Sequence, residues 1–293
     1  MAWLDWTITA LGVLVVLVAL RDIFHTLWHP SGHGSLSTRV MRAVWWAGRR
    51  RRTSTSGLGG PAGLGLVILL WVTLLIAGGA LVYVPHLPEG FLFATGLEVD
   101  QRSDVLDGVY LSTVVLATLG LGDIVPVEGW LRIAVPVQGL LGFGLLTASV
   151  TWVLQVYPAL VRRRALAVRL SLLRSVTPED LLHDPDSTMA APLLESLAGA
   201  LVQTRVDITQ YAETYYFRDG DEEAALPVMI GVASALVAAG RSAPRRDVRV
   251  AAMLLSRAVD DFARVLDDQF LHSGAGTGDV LAAYARAHGR PQG

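Results

Sequence analysis

The stretch that decides the fold of this chain is LATLGLGDIVP, residues 116–126. It places two glycines around one leucine, follows them with Asp123, and reaches a proline at position 126. Glycine adopts backbone torsions that other residues avoid, so alternate glycines favour an irregular, extended backbone over a helix. A phosphate-binding loop would also begin with such glycines, but here no third glycine at a helix start follows and the chain contains no lysine. The flanking sequence therefore decides what the stretch does.

The composition is that of a membrane protein. Of the 293 residues, 52% are hydrophobic and only 17% are charged, with a mean hydropathy of +0.46. There is no cysteine, which excludes disulfides, thiolate metal sites and thiol catalysis. All 24 basic residues are arginine, so lysine chemistry is excluded as well. We expect no enzymatic activity, no organic cofactor and no binding to nucleic acid.

Three segments are long and apolar enough to cross a bilayer, which takes about 20 residues in a helix. They run from Trp6 to about Leu27, from Pro61 to Val84, and from Trp130 to Leu160. A fourth run without charge, Ala224 to Gly240, has 17 residues and is rich in small side chains. For this run we favour a buried helix of a soluble bundle, with a fourth span as the alternative.

The arginines predict the orientation. The segment between the first two spans contains Arg39, Arg42 and the run Arg49–Arg52, and five more arginines lie between residues 162 and 174. The segment 85–107 holds one arginine and five acids. Arginine is concentrated on the cytoplasmic side of membrane proteins. We therefore expect a multi-pass protein of the cell membrane, with its N-terminus outside and its C-terminal part in the cytoplasm.

The opening stretch then lies on the outer side, between the second and third spans. The segment before it, residues 105–117, is too short to cross and suits a re-entrant helix. Irregular backbone at membrane depth persists only where it is buried in protein or lines a water-filled path. Because Gly120 and Gly122 permit unusual torsions, the carbonyls of Thr118, Leu119 and Leu121 can point with theirs toward one axis. A column of carbonyls of this kind replaces the water around a potassium ion.

This arrangement resembles the pore domain of bacterial tetrameric potassium channels. Their filter is usually T-V-G-Y-G-D, and here it is Thr118-Leu119-Gly120-Leu121-Gly122-Asp123, followed by a long helix with glycines at 142 and 144. The resemblance covers about residues 61–157. Leu121 replaces the family's tyrosine, whose hydroxyl usually braces the filter against the pore helix. GLGD variants occur in the family.

The resemblance implies roles for individual residues. Potassium, as the permeant ion, would be coordinated by the filter residues Thr118, Leu119, Gly120, Leu121 and Gly122, with Asp123 at the outer mouth. The inner helix would bend at Gly142, with Gly139 as second choice, although both glycines also suit close helix packing. One filter segment per chain implies a C4 homotetramer. Residues Val153 to Tyr157 would form a hydrophobic gate moved by the cytoplasmic domain.

Two further features lie before the second span. Residues 36–52 form an amphipathic pattern typical of an interfacial helix, with Arg49–Arg52 on anionic lipid; the alternative is a basic loop that only sets topology.

Asp22, His25 and His29 share one helix face. Three interpretations remain open for them: a metal site with ligands at helical spacing, a pH sensor, or structural capping.

The predicted fold is an all-α membrane protein. Each chain has three transmembrane helices, a re-entrant pore helix and a filter loop, followed by a cytoplasmic domain in which helical patterns dominate and no nucleotide-binding glycine motif occurs. We predict a potassium-selective channel; the alternatives are a non-selective cation channel and a membrane sensor with a non-conducting core. The expected domains are an N-terminal transmembrane helix (1–34), an interfacial helix and linker (35–60), the pore domain (61–160) and the helical cytoplasmic domain (161–293).

Overall fold

The structure, a computed structural model, describes residues 2–28, 34–50, 59–94, 103–176 and 178–288. Within these residues helices dominate. The helices are α1 (Ala2–Leu27), α2 (Ser35–Arg50), α3 (Gly59–Tyr83), α4 (Asp104–Leu116), α5 (Leu131–Ser175), α6 (Pro178–His183), α7 (Ala190–Gln210), α8 (Leu226–Arg241), α9 (Arg246–Leu266) and α10 (Thr277–Ala287). Two short strands, β1 (Phe91–Phe93) and β2 (Ile124–Pro126), flank α4 in the chain.

Three of the described helices are long and apolar enough to span a membrane, as predicted: Trp3–Leu27, Gly59–His86 and Leu131–Ser175. Helix α5 extends 15 residues past Leu160, where the sequence analysis ends the third span. Pro158 removes only one backbone hydrogen bond, the one to the carbonyl of Leu154, and its ring crowds that carbonyl. The alanines, leucines and arginines that follow are good helix formers, so the helix continues. Helix α8 is 16 residues long and buries Leu226 and Ile230 completely, which agrees with a bundle helix.

The chain divides into two compact units. The first unit contains Met1–Val40 and Leu64–Leu154, and the second contains Met41–Gly63 and Gln155–Gly293. The expected domain boundaries at 34, 60 and 160 differ from this division. Most of α2 and the start of α3 group with the helices that follow residue 155, because Met41 and Trp45 bury their side chains there.

In the first unit, α1 packs directly against α3 at two glycines. A Cβ atom at Gly12 would lie 2.6 Å from the carbonyl oxygen of Gly78, and a Cβ atom at Gly78 would lie 2.7 Å from Val16. Such distances leave no room for a side chain, so the two helix backbones touch. Small residues allow this approach between apolar helices, where no hydrophobic driving force exists in lipid.

A buried polar network joins α3, α4 and α5. Tyr83 donates a hydrogen bond to Oε1 of Gln138 (2.6 Å), and Nε2 of Gln138 donates to Oγ of Ser112 (2.7 Å). Ser112 in turn donates to the carbonyl of Ile76 (2.8 Å). Gly79 faces this network, since a Cβ atom there would overlap Gln138. The network therefore fixes the short helix α4 between the two long ones.

The two strands, which the sequence analysis did not predict, form a small antiparallel ladder. Phe91 pairs with Pro126, and Phe93 pairs with Ile124. Ile124 and Phe91 are buried in one apolar cluster with Tyr83 and Leu131. Three-residue strands carry too little alternation to be recognised in a sequence. Their effect is to anchor the chain immediately after Asp123.

The second unit is a helical bundle. Helix α9 packs against α7 and α8, and its buried face includes Val248, Ala252 and Leu255. Helix α7 ends at Gln210, and a 3-10 turn (Ala212–Tyr216) follows it. This turn is fully buried. Helix α9 ends at Leu266, before a π turn (Asp267–Leu271).

Around the buried turn, the second unit builds a cluster of charged and aromatic side chains. Arg163 of α5 donates to the carbonyls of Thr214 (2.5 Å) and Phe217 (3.1 Å) and pairs with Asp219 at 2.8 Å. Arg164 also pairs with Asp219, at 2.6 Å. Both Arg163 and Asp219 are buried. Removing either side of a buried ion pair is strongly destabilising, so the turn is firmly held on α5.

Helix α2 joins the same cluster. Trp45 of α2 is 8% exposed and contacts the rings of Tyr215, Tyr216 and His288, with centroid distances of 5.9, 5.8 and 4.9 Å. The guanidinium of Arg218 lies 4.3 Å from the Trp45 ring, within cation–π range. We call this set of residues, with Arg163 and Asp219, the α2–α5 clasp.

Gln138→Leu should lower the stability of the first unit. The change removes the acceptor of the buried Tyr83 hydroxyl and the donor to Ser112, and an unsatisfied buried group costs about 1–3 kcal/mol. Thr73→Val is the control, because Thr73 is exposed and bonds only to the carbonyl of Leu69 in its own helix. Thermal unfolding of the purified protein measures both. Equal midpoints for the two variants would show that the network contributes nothing.

Glu213→Gln should stabilise the second unit more at high pH than at low pH. Burial raises the pKa of Glu213 from 4.5 to about 8. Between these values the unfolded chain has lost the proton that the folded chain keeps, so wild-type stability falls as pH rises to about 8. The variant lacks this loss. Thermal unfolding at pH 5 and pH 8.5 measures the effect. Glu195→Gln is the control, because it alters an exposed carboxyl. If Glu213→Gln differed from wild type by the same amount at both pH values, the raised pKa of Glu213 would be contradicted.

Candidate functional site

The segment 117–123 leaves the C-terminal end of α4 through three hydrogen bonds. Ala117 donates to Thr113 (2.9 Å), Thr118 to Val115 (2.9 Å), and Leu119 to Val114 (3.0 Å). The last carbonyls of α4 are thereby occupied by the first amides of the segment. Helix α4 covers residues 104–116, one residue from the predicted 105–117. The segment therefore starts from a fixed point.

Its backbone alternates between left-handed and other torsions. The φ angles are 58° at Thr118, 54° at Gly120 and 79° at Gly122. Gly120 and Gly122 thus adopt the positive φ that the sequence analysis expects of them. Thr118 shares it although it is not glycine, which is uncommon and marks a constrained backbone. In an extended strand successive carbonyls point to opposite sides, and alternate left-handed residues bring them to one side.

The carbonyl oxygens of residues 118–122 accept no hydrogen bond from any residue that the structure describes. Nothing lies within 4 Å of a Cβ atom built at Gly120 or Gly122. Leu119 and Leu121 are 64% and 62% exposed in the single chain. Since backbone carbonyls are obligatory acceptors, this run is open for a partner outside the described chain.

Asp123, the last residue of the segment, takes part in three hydrogen bonds. Its Oδ2 accepts a hydrogen bond from the Tyr110 hydroxyl (2.5 Å), and its Oδ1 accepts from the amide of Ile124 (3.1 Å). Its carbonyl accepts from the amide of Ala94 (2.8 Å). Tyr110 lies on α4, so it ties the end of the segment to the helix before its start. The sequence analysis missed Tyr110. The signal that could have found it is a tyrosine on the predicted short helix in a chain whose Leu121 lacks the hydroxyl that the family's tyrosine provides.

A cavity of about 310 Å³ lies next to Thr118, which forms part of its wall. Its walls are mainly apolar side chains of α3, α4 and α5, among them Ile76, Leu116 and Leu146. The hydroxyl of Ser149, buried in this wall, has no hydrogen-bond partner in the described part of the chain. Within the first unit, the segment is thus bordered by an apolar space next to Thr118.

The two candidate hinge glycines differ in their surroundings. A Cβ atom at Gly142 would overlap the carbonyl oxygen of Leu116, at the end of α4. A Cβ atom at Gly139 would lie 3.6 Å from the carbonyl oxygen of Val115, which is an ordinary contact distance. Gly142 therefore has a packing role: it lets α5 touch the end of α4. Bending at Gly139 or Gly142 stays a prediction.

One face of α5 in the first unit is apolar and exposed. It carries Ile133, Leu140, Phe143 and Leu154, each at least 63% exposed in the single chain. The spacing of these residues keeps them near one side of the helix. Such a face is available to lipid or to further copies of the chain.

Asp22 occupies a structural position. Its carboxylate accepts hydrogen bonds from the amides of Leu36 (2.7 Å) and Ser37 (3.1 Å) and from the indole of Trp71 (3.0 Å), and it is 3% exposed. The first two amides open α2, so a carboxylate of α1 caps that helix. This geometry favours structural capping, one of the three interpretations of Asp22 and His25.

The remaining predicted sites are only partly described. His29 lies outside the described residues, and no group of three potential metal ligands occurs within the described ranges. The metal site at Asp22, His25 and His29 therefore stays a prediction. Arg49 and Arg50 end α2, while residues 51 and 52 are also outside the described chain. Their contact with anionic lipid is likewise untested.

Comparison with known proteins agrees with this geometry. Residues 69–157, under a third of the chain, match the model of a protein family described as "Ion channel". The uncharacterized membrane protein YdjJ of Bacillus subtilis (strain 168) is 29% identical over 161 residues, covering 53% of this chain and 46% of that protein. The chain thus spans about half the length of the curated relative it matches. No solved structure matches. The segment 117–123 therefore lies within the region that is similar to an ion channel family.

Tyr110→Phe should loosen the segment after Gly120. The change removes the hydrogen bond from Tyr110 to the carboxylate of Asp123, which ties the end of the segment to α4. Amide hydrogen exchange of the peptide covering residues 118–125 should accelerate. Tyr157→Phe is the control, because the Tyr157 hydroxyl forms no hydrogen bond within the described residues.

A double-mutant cycle with Asp123→Ala isolates the pair. If Tyr110 acts through Asp123, then Tyr110→Phe should change exchange little once Asp123 is already alanine. Full additivity of the two effects would contradict the bond as the brace of this segment.

Proposed function

We propose that this protein is a potassium-selective ion channel that conducts passively through the carbonyl oxygens of residues 118–122. The observation that carries the proposal is the alternation of φ at Thr118, Gly120 and Gly122 together with the unpaired carbonyls of the same run. Oxygen atoms arranged in this way replace the hydration shell of potassium at low cost. The match of residues 69–157 to an ion channel family supports it.

A channel of this kind requires four chains. One chain supplies one column of carbonyls, which surrounds an ion only when a rotation axis repeats it, and a closed C4 ring is the arrangement that does so. The exposure of Leu119, Leu121 and the apolar face of α5 in the single chain supports assembly of this kind. Asp123, braced by Tyr110, would then form a ring of four carboxylates at the outer mouth and draw in cations.

Selectivity for potassium over sodium depends on how firmly the carbonyls are held. Leu121 cannot brace the filter as a tyrosine would, but Tyr110 offers a second brace through Asp123. The core cluster around Ile124 supports the chain just beyond it. We therefore assign selectivity for potassium. A non-selective cation channel is the alternative in the same class.

In the membrane, the arginine distribution supports an outside location for residues 85–107 and for the N-terminus. The protein would reside in the cell membrane, with residues 161–293 in the cytoplasm. Arg49–Arg52 would then lie at anionic headgroups. The proposed activity is passive transport and not enzyme catalysis.

The α2–α5 clasp would connect the gate to the second unit through α5. Helix α5 runs without interruption from the exposed face at Leu154 to Arg163 and Arg164, which the buried turn grips through Asp219. A movement of the second unit's turn would therefore move this part of α5. We place the gate at Val153 to Tyr157, where apolar side chains close the path by excluding water.

Gly120→Ala and Gly122→Ala should abolish potassium flux in proteoliposomes. A Cβ atom meets no neighbour at either site, but it disfavours the positive φ by about 1–2 kcal/mol, and rotation of the peptide that relieves this turns a carbonyl away. Gly144→Ala is the matched control, because that glycine is helical and equally unobstructed. Its flux should persist.

The outcomes separate the candidates. Potassium flux in wild type with sodium permeability near that of potassium would reject selectivity and leave a cation channel. Flux that persists in both filter variants would remove the filter assignment. No flux from the wild type at any tested pH or lipid composition would favour a membrane sensor whose channel-like core only assembles.

A further inference from the structure

The second unit contains a concave surface formed by three arginines. It lies along α9 and the end of α8, and its volume is about 470 Å³. This is within the range of small-molecule sites in proteins. The residues that line it are Arg241, Arg249, Met253, Ser256, Arg257 and Asp260. We call it the arginine pocket.

None of the three arginines has a carboxylate within 4.0 Å among the residues that the structure describes. Nearby acids are engaged elsewhere: Asp247 pairs with Arg245, and Asp261 pairs with both Arg205 and Arg264. Asp260, the one acid in the pocket, accepts a hydrogen bond from Thr277 (2.8 Å). Three like charges drawn to one concave surface repel each other, which an anionic occupant would offset.

Two of the three guanidinium groups are held in place. Nη2 of Arg241 donates to Oγ of Ser256 at 2.8 Å, and Ser256 is only 9% exposed. Nη1 of Arg249 donates to the carbonyls of Ala243 (2.8 Å) and Pro244 (2.6 Å) in the turn between α8 and α9. Each retains further N–H donors, because a guanidinium has five. Groups fixed in advance lose less entropy when they bind.

From this geometry we propose that the arginine pocket binds a soluble diphosphate-bearing ligand, such as a nucleoside diphosphate. Planar guanidinium groups match phosphate oxygens with paired hydrogen bonds, and three of them suit two adjacent phosphates better than one. Met253, on the same surface and 54% exposed, offers an apolar contact for a base. The pocket shares no residue with the filter or the gate, and its occupancy is measured without ion flux, so the two proposals fail independently.

The test is calorimetric titration of the purified full chain with inorganic pyrophosphate and with adenosine diphosphate at low ionic strength, where charge interactions are least screened. Saturable binding of one or both ligands is expected. Arg257→Gln should weaken it about tenfold, because each charge-assisted hydrogen bond lost has that order of effect. Arg257 is exposed and supports no other described residue, so the variant should fold normally. Arg241→Gln is a second variant with the same expectation.

Arg286→Gln is the matched control, since Arg286 is exposed on α10 and lies outside the pocket. An equal loss of binding in this control would mean that only general surface charge attracts the ligand, and it would overturn the proposal. The absence of saturable binding by either soluble ligand would also overturn it. A third result would overturn it too: the chain binds vesicles of anionic lipid, Arg257→Gln reduces this binding, and neither soluble ligand binds.

Discussion

Five consecutive backbone carbonyls that have no partner among the described residues are the constraint on which the first unit depends. An unpaired carbonyl away from water costs free energy comparable to a lost hydrogen bond, so in the proposed assembly, which would remove the run from bulk water, a ligand must fill that position. The alternating positive φ at Thr118, Gly120 and Gly122 prevents the run from pairing as an ordinary strand. A column of cations on the proposed axis would satisfy them together.

Much of the surrounding packing holds that run in position. The polar network of Tyr83, Gln138 and Ser112 fixes α4 between the long helices, and Gly142 allows α5 to touch the end of α4. Beyond the run, Tyr110 holds Asp123 and the β1–β2 ladder holds the chain that follows. The carbonyl run is therefore held at both ends, while its carbonyl oxygens accept no hydrogen bond within the described chain.

The sequence predicts the elements that rest on local patterns. Three apolar spans, the short helix before residue 117 and the positive φ of Gly120 and Gly122 all follow from run length and from glycine chemistry. What it could not predict depends on distant partners. The bond from Tyr110 to Asp123, the capping of α2 by Asp22 and the clasp around Trp45 join residues that no periodicity relates. The continuation of α5 past Pro158 was hidden because a proline usually signals a helix end.

The central claim is that four copies of residues 118–122 surround a column of potassium ions. The most direct measurement is anomalous scattering from crystals of the assembled protein in which thallium replaces potassium. The account predicts several thallium peaks on a fourfold axis, each coordinated by carbonyl oxygens of residues 118–122. Peaks only at surface carboxylates, or an assembly without a fourfold axis through this segment, would contradict it.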